Sequence, residues 1–161
     1  AKYKYCRALI GLGKFSQAEE ILVDLLESEK KKNLHPTIKS HLSNFSDIYE
    51  GFGLLKRQQG DLEEAKRFYL KALEYREQKL FKFHRSLGSL NQYIGELFFE
   101  QKNYLEAEKY LERALSIYKP TFEKRVLKRV LTLLKVVYKK LNKKEKVKIL
   151  GEKLKKLKDE E

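Results

Sequence analysis

The sequence predicts an all-α chain, a solenoid of about four helix-turn-helix units stacked side by side. Three observations carry that expectation. The segment GKFSQAEEILVDLL from Gly13 returns as GDLEEAKRFYLKAL from Gly60, as KNYLEAEKYLERAL from Lys102, and in weaker form as NKKEKVKILGEKLKKL from Asn142. Between these copies, apolar residues recur every three or four positions, the spacing of a helix with one buried face. Only 8 Gly and 2 Pro stand among 161 residues, which leaves little room for a turn-rich β fold.

Taken in order, each element has its own signal. A truncated first helix, expected over 2–12, carries Tyr5, Leu9 and Leu12. The second, over 16–32, opens with Ser16 and Glu19, the spacing at which side chain and backbone cap each other's orphan N–H groups. The third, over 37–59, buries Leu42, Phe45, Ile48, Tyr49, Phe52 and Leu55. The fourth, over 61–80, starts at Asp61 with Glu64 three residues on. The fifth, over 84–101, aligns Leu87, Leu90, Ile94, Leu97 and Phe98, and the sixth, over 104–118, is capped by Asn103 with Glu106. The seventh, over 121–141, aligns Leu127, Leu131, Leu134, Val137, Tyr138 and Leu141; the eighth, over 144–158, aligns Val147, Leu150, Leu154 and Leu157.

Small residues mark where paired helices approach. Ala18, Ala65, Ala107 and Val147 are equivalent, at offsets of 47, 42 and 40 residues, and seven positions on stand Leu25, Ala72, Ala114 and Leu154. Three before the alanine stand Phe15, Leu62 and Tyr104, but Lys144 in the last copy. On the facing helix the small residue is Cys6, Gly53 or Gly95, while the last unit has Lys135. One hairpin cannot cover its own apolar faces, so the pattern must recur for the stack to be stable. The units are expected at about 1–34, 35–82, 83–119 and 120–158, as one array with a truncated first member and a degenerate, capping last one.

Composition narrows the function. Hydrophobic residues make up 42% and charged residues 37%, too apolar for a disordered chain. The single cysteine, Cys6, leaves no internal disulfide and no cysteine zinc site; it falls in the small-residue slot and reads as a buried thiol. His35, His41 and His84 lack metal-ligand spacing, so no metal is expected. Gly11-Leu12-Gly13 and Gly51-Phe52-Gly53 lack a preceding strand and read as helix-end or packing glycines, not a phosphate loop. Neither a Ser/His/Asp set nor a cofactor loop is visible, so neither an enzyme nor a cofactor is expected. No stretch is long and apolar enough to span a membrane. One thiol fits a reducing compartment, hence the cytoplasm. The chain opens at Ala1 inside an amphipathic pattern, which is expected of a fragment or processed chain.

The segments Gly13-Lys14-Phe15-Ser16-Gln17-Ala18 and Gly60-Asp61-Leu62-Glu63-Glu64-Ala65 resemble the turn and second-helix start of tetratricopeptide repeats. The 42-residue offset exceeds that family's ordinary period of about 34 residues and is similar to the longer repeats of kinesin light chains. Leu34-His35-Pro36, the joint from Leu73 to His84, and the runs Leu42-Ser43-Asn44-Phe45 and Leu90-Asn91-Gln92-Tyr93 support that subtype. Arg85 in place of a second proline, Phe81 in place of a glycine, and the 47-residue offset depart from it.

The resemblance implies a right-handed superhelix whose first helices line a concave groove for a partner's peptide or helix. It assigns Tyr3 and Arg7 to that groove in the first unit, and Asn44, Asp47, Glu50, Leu54 and Arg57 in the second. The third unit supplies Gln92, Tyr93, Glu96, Phe99 and Glu100, the fourth Arg129, Thr132, Val136 and Lys139. Such a groove would be acidic and aromatic in its middle and basic toward the end. A carboxylate clamp of the chaperone-binding type is not expected, since its positions hold Tyr3, Arg7, Gly51, Ser89 and Tyr93. Most aromatics should be core, with Tyr93 and Phe99 as exceptions.

Charge is uneven. Residues 119–161 hold 16 basic and 6 acidic side chains, against 20 and 17 in residues 1–118. The basic patch includes Lys140, Lys143, Lys144, Lys148, Lys155 and Lys156. It is expected to solubilise a capping helix; an acidic protein surface or nucleic acid are its other readings. Lysine outnumbers arginine there and no aromatic residue interleaves in the last helix, so nucleic acid would be held by phosphate attraction alone. The function expected is a protein-interaction module, a scaffold or adaptor in a larger assembly whose partner is a peptide, a helix or another subunit. The alternative is a basic helical-repeat binder of nucleic acid.

Overall fold

A computed structural model describes residues 2–32, 42–79, 84–118 and 124–159. Among these residues the chain is all-helical: α1 (Lys2–Gly11), α2 (Phe15–Lys32), α3 (Leu42–Gln58), α4 (Leu62–Lys79), α5 (Arg85–Glu100), α6 (Tyr104–Ile117), α7 (Lys124–Lys140) and α8 (Lys144–Asp159). The expected helix starts at 37 and 121, the end at 80, and the joints at Leu34-His35-Pro36 and Leu80-Phe81-Lys82-Phe83 lie outside the described residues. Two compact units form, Ala1–Phe81 and Lys82–Glu161. In each, two helical hairpins stack: α1–α2 on α3–α4, and α5–α6 on α7–α8.

The four hairpin turns are the same structure. Each places one residue in the left-handed region, Gly13 (φ 72°), Gly60 (φ 86°), Lys102 (φ 59°) and Asn142 (φ 56°). The next amide then bonds back across the helix end: Lys14 to Leu9 O, Asp61 to Lys56 O, Asn103 to Phe98 O and Lys143 to Tyr138 O, at 2.8–2.9 Å. Two expected caps form, Asp61 accepting from the Glu64 amide at 3.1 Å and Asn103 from the Glu106 amide at 3.4 Å. The Ser16 cap does not. α2 begins at Phe15, so Ser16 lies inside the first turn and Lys14 holds the capping position. At α8 the equivalent position is Lys143, which has no acceptor to offer its helix.

Packing follows the small-residue pattern. Ala18, Ala65, Ala72, Ala107 and Ala114 are fully buried. A Cβ on Gly53 would stand 2.5 Å from the Tyr69 ring, and one on Gly95 2.7 Å from Leu111. Cys6 occupies the same slot and donates through sulfur to Ala18 O at 3.4 Å. In the last hairpin the sizes are exchanged: Lys135 fills the glycine position on α7, and Gly151 on α8 stands where Tyr69 and Leu111 stand in the others. A Cβ on Gly151 would reach Lys135 Nζ at 3.4 Å. The α3–α4 hairpin adds a ladder of stacked rings, Phe45–Tyr75–Tyr49–Phe68–Phe52, with neighbouring centroids 5.0–6.3 Å apart.

One expectation about the core fails. Tyr5 and Leu12 are largely exposed; α1 buries Leu9 and Cys6, as expected, together with Ile10. The stripe turned inward keeps Leu9 and runs through Cys6 and Ile10, leaving Tyr5 and Leu12 on its outer edges.

Candidate functional site

Within each unit the first helices of the two hairpins lie together, α1 beside α3 and α5 beside α7. Most of the side chains assigned to the groove stand on these helices. The structure divides them into buried members that bind one another and exposed members that face outward.

In the first unit the buried centre is Glu50. It accepts from Arg76 of α4 at 2.8 Å and lies 3.7 Å from the exposed Arg7 of α1. Arg76, itself buried, also donates to Asp47 at 2.6 Å. Burial pushes the Asp47 carboxyl above its usual range, and the Arg76 charge only partly offsets this. The half-buried Tyr3 lies against Gly51; its phenol is pushed up by burial and by the Glu50 charge. Asn44 is exposed, and Leu54 and Arg57 are half-buried.

The second unit repeats the plan with different chemistry. Gln92 stands at the Glu50 position and Tyr118 at the Arg76 position. The Tyr118 hydroxyl donates to Gln92 at 3.2 Å, and the Gln92 amide donates to Glu96 at 2.9 Å. Glu96 is 4% exposed and pairs at 3.0 Å with Arg129 of α7, which keeps much of its own surface open. Tyr93 is half-buried, as is Phe99, whose ring tilts against Tyr104 at 5.8 Å. Glu100, Thr132, Val136 and Lys139 are exposed. Three of the carboxylates expected to make the groove acidic, Asp47, Glu50 and Glu96, are thus paired with cations of the chain itself, and Glu100 stays exposed.

Sequence reasoning missed Arg76 and Tyr118. Their 42-residue equivalence was visible, but nothing in the repeat says that the end of the second helix reaches under the first helices' polar residues.

Of the basic patch, Lys140, Lys144, Lys148, Lys155 and Lys156 are exposed. Lys143 is not part of a free surface: it is bound to Glu108 of α6. Lys146 joins it, pairing with Glu108 at 3.0 Å and Glu112 at 2.7 Å. Tyr138 donates to Glu112 at 2.6 Å. Burial would raise the Glu112 carboxyl, but the bonds from Lys146 and Tyr138 outweigh it and hold the group below its usual range. The same bonds, from Glu112 and then Glu108, push the Lys146 ammonium up.

Residues 44–119 match the tetratricopeptide repeat family. That stretch, a little under half of the chain, carries tetratricopeptide repeats. The chain's fold is similar to that of BtubC (BKLC) from P. vanneervenii, with a TM-score of 0.82 at 17% identity, covering 98% of this chain and 62% of that one. It is also similar to the nearly identical TPR-like repeats of a kinesin light chain candidate from Podosopora anserina, at a TM-score of 0.72 and 16% identity, covering 95% of this chain and 71% of that one. A Q17M variant of those repeats matches equally. Identities this low show the shared fold, and the chain spans only 62% of the length of BtubC. No curated protein matches by sequence. Tetratricopeptide repeats generally serve protein–protein interaction and are typically non-catalytic. No described helix is long and apolar enough to cross a membrane, and no described cluster of His, Cys, Asp or Glu is placed to hold a metal.

Proposed function

We propose that this tetratricopeptide-repeat chain is a non-catalytic scaffold or adaptor that receives a partner's peptide or helix on the face of its first helices. The observation that carries the reading is the division just described. In the second unit Gln92 and Glu96 are buried and bonded within the fold, while Arg129, Thr132, Val136 and Lys139 remain exposed on its first helices; in the first unit Glu50 is buried and Asn44 exposed. A rigid frame under an open mixed surface suits recognition of an extended or helical segment. The four repeats act as one array, with the first truncated and the last a cap, in a reducing compartment such as the cytoplasm.

Photo-crosslinking tests this reading. A benzoyl-phenylalanine placed at Thr132 or Val136 should capture one partner from the native source, and the same group at the exposed Leu105 of α6 should not. The captured protein, purified, should then bind the wild type and lose affinity to Thr132→Arg. Capture from position 105 alone would refute the assignment of the face.

A second reading has its own observation. α7 carries seven Lys or Arg and no acidic residue. Together with the exposed Lys140, Lys144, Lys148, Lys155 and Lys156, this would attract nucleic-acid phosphates without reading bases.

A further inference from the structure

The second unit has an opening on another face. α6 and α8, the second helices of their hairpins, leave a groove of about 410 Å³ between them, with Tyr138 of α7 reaching into it. Leu115 and Leu150 supply apolar walls, and Ile149 on the rim is 49% exposed. At the N-terminal end of α8 the gap is bridged by Lys143 and Lys146 bound to Glu108 and Glu112. Ser116 of α6 and Lys153 of α8 also line it.

We infer that this groove is a second docking site, for an acidic peptide segment bearing a large apolar side chain. Chemistry selects that occupant. The groove's one lining carboxylate, Glu112, already accepts from Lys146 and Tyr138, so it offers an incoming cation little. Lys153 makes no ion pair among the described residues, and exposed Lys148, Lys155 and Lys156 lie on the same helix. An acidic segment meets a favourable field, and a basic one is repelled. Leu115, Ile149 and Leu150 gain only if the partner also brings an apolar group, which a phosphate backbone cannot. A second copy of the chain would bring a net charge of +13 against +13. The inference does not require the face of the first helices to bind anything.

A short random-peptide library displayed against the full chain tests it, with counter-selection on the Ile149→Glu/Lys153→Glu double variant. Both side chains are exposed, so the variant should keep the wild-type circular dichroism spectrum. The surviving pool should be rich in Asp and Glu around Leu, Ile or Phe. A labelled peptide from it should lose roughly tenfold or more in affinity, by anisotropy, on either single substitution. It should be indifferent to Thr132→Arg, which tests the other face. A pool that is basic or lacks acidic residues, or no pool distinguishing the two proteins, overturns the inference. So does duplex DNA that binds the wild type and is lost with Ile149→Glu, or self-association of the wild type that the double variant abolishes. Loss of crosslinking at Thr132 with peptide binding intact would sink the proposed function and leave this groove standing.

Discussion

The exchange of sizes between hairpins makes the sharpest prediction, because one chemical change should act in opposite directions. Gly53→Ala and Gly151→Ala each place a methyl group on a helix interior, and each should gain about 1 kcal/mol of helix propensity. At Gly53 the methyl would stand 2.5, 2.7 and 2.9 Å from three carbons of the Tyr69 ring, and Tyr69 is fully buried. The ring cannot swing into solvent, so helices α3 and α4 must part. Overpacking of this kind costs roughly 1–3 kcal/mol, and this geometry belongs at the upper end. The net expectation is a loss of about 2 kcal/mol, or about 4–8 °C in Tm for a chain of this size. At Gly151 the nearest atom is Lys135 Nζ, the far end of a flexible side chain, at 3.4 Å. The propensity gain should survive, raising Tm by about 2–4 °C. Thermal and urea unfolding followed by far-ultraviolet circular dichroism measure both. If Gly53→Ala is as stabilising as Gly151→Ala, the close approach of α3 to Tyr69 is not real and the small-residue argument fails with it.

Removing Arg76 as Arg76→Met leaves Glu50 buried with the more distant Arg7 as its remaining described cation, and should cost about 3 kcal/mol in urea unfolding; adding Glu50→Met should recover most of it. The Glu112 carboxyl titrates below its usual value of 4.5, so its contribution is complete above that pH and is lost as pH falls through the lowered value. Glu112→Gln should therefore flatten the decline in stability on acidification below about pH 4.5, modestly because the group is partly exposed. Asp61→Ala should cost about 1 kcal/mol by removing the acceptor for the Glu64 amide, while Ser16→Ala should cost far less because Ser16 is not a cap. Any affinity for duplex DNA should fall steeply with salt, by a log–log slope of about −0.9 per phosphate neutralised, and a flat response would remove the nucleic-acid reading.

The helices were legible because their signals are local. Apolar spacing and the equivalent turn residues placed every described helix within a few residues. Cap chemistry read two starts correctly at Asp61 and Asn103, where the left-handed residue directly precedes the capping side chain. It misread the start at Ser16 because Gly13 sits three residues earlier, and turn geometry outranks the capping motif. In the first helix Leu9 and Cys6 were read correctly but Tyr5 and Leu12 were not, since Tyr5-Leu9-Leu12 fits a three-four spacing as well as Cys6-Leu9-Ile10 does. The groove was legible as positions and not as charge. A carboxylate on a first helix looks solvent-facing in a repeat alignment, and its neutralisation by Arg76 or Arg129 depends on contacts from other helices.

The last hairpin shows why such departures should be weighed together. Lys135 in a glycine slot, a lysine at the α8 cap and a lysine at the Phe15 position each look like decay of the repeat. In the structure the first is answered by Gly151, which gives the long side chain a path out between α7 and α8. The second is answered by Glu108, which holds Lys143 where a cap would otherwise stand. Lys146 extends the same cluster to Glu112, and its side chain lies over the Tyr138 ring at 4.9 Å. These ion pairs join α8 not to its hairpin partner α7 but to α6 of the neighbouring hairpin. They secure α8 to α6 at one end only, and the groove lined by Leu115, Ile149 and Lys153 is what such a joint leaves open. Replacing Lys143 and Lys146 by alanine should therefore loosen α8 selectively. Hydrogen exchange should quicken in α8 before α5 or α6, and equal loss of protection across the unit would show that the cluster does not fasten that helix.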